Sequence, residues 1–119
     1  MSLTITPSGA SCGASVTGLD LSQPLSSAQL TALRAAWAEH HVLAFPDQQL
    51  TADHLEALAA QLGELREEPF FNPIEGQRYT AKIARHADET TSIFAEAWHS
   101  DWTFEERPPI GTLLYGITI

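Results

Sequence analysis

The sequence predicts a single α+β domain over residues 1–119, mostly β, with two helices flanking the strands. Three observations carry that expectation. Short segments of alternating apolar and polar residues are punctuated by Gly and Pro, as in strands joined by turns. Two longer stretches open with complete helix start signals. An aromatic-rich run at residues 97–104, favouring extended backbone, carries a metal-ligand pattern. Hydrophobic residues make up 44% of the chain and charged residues 18%, a balance that supports a packed core and argues against disorder.

The elements follow in order. Leu3-Thr4-Ile5-Thr6-Pro7 and Ala14-Ser15-Val16-Thr17-Gly18 alternate, and Gly9 and Gly13 between them suit a turn joining two strands. Ser26 is an N-cap with Gln29 completing a capping box and Leu25 and Leu30 forming a hydrophobic staple. Leu30, Leu33 and Trp37 then share the inward face of the first helix. His40 and His41 close it at the negative end of its dipole, and Val42-Leu43-Ala44-Phe45 follows as a buried strand halted by Pro46. Thr51 caps the second helix, with Leu50 and Leu55 as its staple, Leu55, Leu58 and Leu62 on its buried side and Gly63 at its end. His54 in its first turn is expected in solvent.

Residues 64–76 read as a loop broken by Pro69, Asn72, Pro73 and Gly76, with Glu64, Glu67 and Glu68 on a solvated face. Within it, Phe70 and Phe71 either plug the edge of the core or line a pocket. Residues 78–83 and 110–119 read as two further strands.

Composition excludes some functions. A net charge of −9 with only six Lys and Arg opposes a nucleic-acid partner. The single cysteine, Cys12, forbids an intrachain disulfide, fits a reducing compartment and reads as a bystander. No apolar run reaches the roughly 20 residues of a membrane span, and the first residues lack a secretory pattern, so the expected location is cytoplasmic, with no membrane partner.

The chemistry concentrates in Trp98-His99-Ser100-Asp101-Trp102-Thr103-Phe104. Side chains at i and i+2 of a strand point the same way, so His99 and Asp101 can close on a single cation. They would form two-thirds of a 2-His-1-carboxylate facial triad, which leaves iron with open positions for a cosubstrate and dioxygen. No third ligand is evident. A second His-x-Asp, His86-Ala87-Asp88, lies in a polar stretch where nothing holds its side chains on one face. The competing reading of His99 and Asp101 is a surface strand whose polar face carries them.

Beyond these residues the chain resembles the Fe(II)/2-oxoglutarate-dependent dioxygenases of the taurine-dioxygenase (TauD/TfdA) family. The likeness rests on residues 13–25, on Val42-Leu43-Ala44-Phe45-Pro46-Asp47-Gln48, on Leu62-Gly63-Glu64-Leu65, and on residues 98–104 followed by Pro108-Pro109 and Thr112-Leu113-Leu114-Tyr115. A tryptophan before His-x-Asp and an aromatic strand leading to Pro-Pro is far rarer than His-x-Asp alone. The resemblance implies an incomplete double-stranded β-helix (jelly roll) with two flanking helices, truncated before the segment that carries the distal His and the Arg. It implies Fe(II) as cofactor, held by His99 and Asp101, and 2-oxoglutarate as cosubstrate, with its binding residues beyond the chain end. The implied activity is that of an oxidoreductase, a dioxygenase that hydroxylates a small organic substrate and decarboxylates 2-oxoglutarate to succinate, with the short chain itself inactive. Phe70, Phe71 and Trp98 are the substrate-pocket candidates. Taurine is disfavoured: Glu68-Pro69-Phe70-Phe71 and Ala95 replace the His, Tyr and Asn that taurine enzymes present, and Glu68 would repel a sulfonate. The alternative is a non-catalytic fragment or a binding and assembly module. An uncovered strand at residues 110–119 points to a homo-oligomer.

Overall fold

The computed structural model describes residues 2–93 and 95–118, and the expected strand's last residue, Ile119, lies outside them. Strand β1 (Thr4–Pro7) pairs antiparallel with β2 (Ala14–Thr17), bringing Ile5 opposite Val16. Helix α1 (Ser27–His40) leads to β3 (Leu43–Ala44), which lies parallel to β2, so the sheet order is β1-β2-β3. Parallel neighbours require a crossover, and α1 supplies it. Its end is tied back to the sheet, where Gly13 N–H donates to His40 O at 2.7 Å and Ala14 N–H to Val42 O at 2.9 Å. Helix α2 (Ala52–Leu62) completes the core.

Both helices start where their caps dictate. Ser26 accepts from Gln29 N–H while the Gln29 side chain accepts from Ser26 N–H, a full capping box. Thr51 is capped in the same reciprocal way, but its partner is His54, whose Nδ1 accepts from Thr51 N–H at 3.2 Å. His54 is accordingly half-buried rather than free in solvent.

The core consists of Val16, Leu19, Leu21, Leu25, Leu33, Leu58 and Leu62. Two glutamines hold it together. The Gln48 amide spans Leu21 N–H and Leu19 O, and the Gln61 amide spans Leu25 N–H and Leu25 O, so each satisfies both a donor and an acceptor of a loop with no ladder of its own. Arg34 donates to Gln61 O and Leu62 O and closes the end of α2.

Three further expectations change. The strand around Val42 shrinks to two residues at the sheet edge and is only half-buried: Leu43 and Phe45 pack against the core while Val42 is 59% exposed, because no described residue pairs beyond β3. Trp37 does not join the core cluster but stands half-buried against the segment at Gly111. Among the described residues, none of the stretches 78–83, 97–104 and 110–118 forms a strand. A strand is defined by its partners, and the first of these finds only an isolated bridge, Pro73 to Ala81, while the other two find none. The last is instead anchored by side chains: Ile110 packs on Gly63, Leu113 packs on the core, and the Tyr115 hydroxyl accepts from Leu50 N–H at 3.2 Å and donates to Gln48 O at 3.3 Å.

Candidate metal centre

His99 and Asp101 meet without a strand. Residues 101–104 turn, with Trp102 in the left-handed region at φ 61° and Glu105 N–H donating to Trp102 O at 3.0 Å. Within this loop the His99 Nδ1–H donates to Ala97 O at 2.7 Å, since a carbonyl can only accept. That bond fixes the neutral tautomer and leaves the Nε2 lone pair available. Nε2 lies 2.9 Å from Asp101 Oδ1. Two donors each about 2.1 Å from one ion and at right angles are separated by about 3.0 Å, so the pair fits adjacent positions on an octahedral cation. Both side chains remain accessible, at 47% and 54% exposure, so an ion can reach them.

The His99 pKa is raised, chiefly by the Ala97 carbonyl; desolvation, next in size, opposes the rise, and the Asp101 charge and hydrogen bond add to it. In its protonated form the imidazolium donates on both sides, and a cation binding at Nε2 displaces that proton.

Asp101 has a second partner, the Thr112 hydroxyl, which donates to Oδ2 at 3.3 Å. This contact and the Ala97 carbonyl were not readable in the sequence: one joins residues eleven apart through a tertiary contact, and the other is backbone. His86 and Asp88 stand exposed on a separate turn closed by Glu89 N–H to His86 O at 3.1 Å. Among the described residues, no group of three His, Cys, Asp or Glu side chains converges to hold a metal.

A cleft of about 310 Å³, lined by Trp37, His41, Asp101, Trp102, Ile110 and Thr112, opens beside the pair. A second, of about 380 Å³, lies across Trp102 and is bordered by Arg66, Arg78 and Arg107 with Glu64, Glu67 and Glu105. Its charges are largely paired, Arg78 with Glu67 at 2.6 Å and Arg107 with Glu64 at 3.0 Å. Of the pocket candidates, Phe70 meets Phe104 edge-to-face at 6.1 Å, and Phe104 stacks on Trp102 at 6.2 Å, an aromatic row that ends at both clefts. Phe71 is half-buried beside it in sequence. Trp98, expected to line the substrate pocket, instead projects fully into solvent and lines neither cleft, so it offers a substrate no wall there.

An imidazole and a carboxylate side by side are two of the three ligands in the 2-His-1-carboxylate site of non-haem Fe(II) oxygenases. The family model "Taurine catabolism dioxygenase TauD, TfdA family" matches residues 4–119, and the chain belongs to that family. It is 30% identical to an alpha-ketoglutarate-dependent sulfate ester dioxygenase of Pseudomonas putida, over 98% of this chain and 38% of that protein. It is 33% identical to an (S)-phenoxypropionate/alpha-ketoglutarate-dioxygenase of Delftia acidovorans, over 86% of this chain and 37% of the other. The chain therefore spans a little over a third of the length of these relatives. Among solved structures it is similar to AAD-2 in complex with Mn(II) and N-oxalylglycine, with 29% identity and a TM-score of 0.53 over 55% of this chain and 26% of that one.

Proposed function

We propose that the chain is the N-terminal part of an Fe(II)- and 2-oxoglutarate-dependent dioxygenase domain of jelly-roll type, and that His99 and Asp101 are two of its iron ligands. The observation that carries this reading is the 2.9 Å approach of Nε2 to Oδ1 with the opposite ring nitrogen held by Ala97 O. When bound, Fe(II) with 2-oxoglutarate would activate dioxygen, one oxygen atom entering the substrate C–H bond and the other the new carboxylate of succinate, with release of carbon dioxide.

The residues of this chain hold and orient. Ala97 O sets the imidazole tautomer, Asp101 would neutralise part of the ion's charge, and Trp102, with Trp37 and Ile110, gives the neighbouring cleft an apolar wall, while Phe104 and Phe70 back Trp102 from outside it. That wall suits a small organic substrate with an apolar body. Glu68, whose Oε1 accepts from Phe70 N–H at 2.9 Å, places a negative charge at the start of the row and disfavours a sulfonate there. The relatives named for sulfate esters and for phenoxypropionate are consistent with a small-molecule substrate.

Anaerobic Fe(II) titration followed by calorimetry tests the ligand assignment. Binding to the full 119-residue chain is expected to be weak and to vanish in His99→Ala and in Asp101→Ala. Binding that both variants retain would overturn the assignment.

A further inference from the structure

We propose that Thr112 is a positioning residue for Asp101, presented by residues 110–115 acting as a docked strap; this rests on the metal-centre reading above. A monodentate carboxylate ligand must present one particular oxygen, yet the terminal torsion of Asp is broad and two-fold, so an unrestrained group exchanges its oxygens. In this molecule the two oxygens are distinguished. Oδ1 faces His99 Nε2 at 2.9 Å, and Oδ2 takes the Thr112 hydroxyl at 3.3 Å. A donor on Oδ2 fixes the carboxylate plane and leaves Oδ1 turned toward the imidazole.

The hydroxyl is held there by its neighbours. On one side Ile110 rests on Gly63, and Gly111 lies so close to the Trp37 ring that a Cβ at that position would overlap the indole. On the other side Leu113 packs against the core, and the Tyr115 hydroxyl bridges Leu50 N–H and Gln48 O. Thr112 thus sits between four anchors although it is itself exposed and in no strand. Its side chain has no packing role that a valine would fail to fill, so its hydroxyl is the group at issue.

The test is Mn(II) binding to the full chain, followed by electron paramagnetic resonance, in the wild type, Thr112→Val, Thr112→Ser, His99→Ala and Asp101→Ala. Loss of an outer partner of a metal-binding carboxylate weakens binding by roughly 10- to 100-fold. Thr112→Val is expected to weaken binding by about tenfold, and Thr112→Ser, which restores the donor, to recover most of it. A further variant, Thr112→Ala, is expected to match Thr112→Val; a loss in Thr112→Ala alone would show that side-chain shape and not the hydroxyl is at issue. If Asp101→Ala abolishes binding while Thr112→Val leaves it unchanged, the positioning role is refuted and the metal centre stands. If binding is absent from the wild type or indifferent to both His99→Ala and Asp101→Ala, the metal-centre reading fails and takes this inference with it.

Discussion

His99 and His86 occupy the same short motif, and what separates them is a backbone carbonyl. The Ala97 oxygen holds Nδ1 of His99 and frees Nε2 toward Asp101, whereas the His86 backbone closes its own turn through Glu89, whose carboxylate accepts from His86 N–H at 3.0 Å. A ligand aligned in advance competes better with water around an ion, so His86→Ala is expected to leave Fe(II) affinity unchanged where His99→Ala removes it. Equal losses in calorimetry would reverse the choice between the two copies. The pairing of His99 with Asp101 was readable from residue type, spacing and aromatic company. Its backbone was not: the spacing suggested one face of a strand, whereas in the structure the pair meets in an irregular segment that runs into a turn with Trp102 at positive φ. Nothing local in the sequence marked Thr112, because its contact to Asp101 depends on how residues 110–115 dock.

Helices and strands differed in how far they could be read in advance, for a physical reason. A capping box is complete within four residues, so Ser26 with Gln29 announced α1 before any tertiary contact was known. A strand needs a ladder from elsewhere, and among the described residues only β1, β2 and β3 find one. The loop between β2 and α1 obtains hydrogen bonds from side chains instead, through the Gln48 amide on Leu19 and Leu21 and the Gln61 amide of α2 on Leu25. Gln61→Leu leaves both backbone groups of Leu25 without those partners at a part-buried position, for an expected loss of about 1–3 kcal/mol in urea denaturation. Ser26→Ala, which removes one cap, is expected to cost about 1 kcal/mol. A Gln61→Leu loss no larger than a surface substitution, about 0.5 kcal/mol, would show that water replaces the amide without penalty.

At the scale of the molecule, all the buried hydrophobic residues fall between Ala14 and Leu62, and the described residues beyond add none. The radius of gyration, 15.4 Å, exceeds the roughly 13.5 Å expected for a compact domain of this length. That half displays Phe104, Ile110, Leu114 and Ile117 at 65% exposure or more. Apolar surface of this kind drives association. Sedimentation velocity is expected to show concentration-dependent self-association, weakened by Leu114→Asp; a monomer at every concentration would count against it. The isolated chain is also expected to form no succinate from 2-oxoglutarate, Fe(II), ascorbate and air beyond a His99→Ala control. Turnover above that control would mean that a further ligand is recruited within the chain or across a dimer.

The seat of Gly111 on Trp37 makes the strap visible to light. Of the three tryptophans, Trp98 is already in water, while Trp37 is half-shielded and its Nε1–H donates to His41 O at 3.1 Å. With Trp98 and Trp102 replaced by Phe, emission from the remaining indole reports whether residues 110–115 are docked. A red shift on Gly111→Ala, without loss of helical circular dichroism, would record the strap lifting while the core beneath it stays folded.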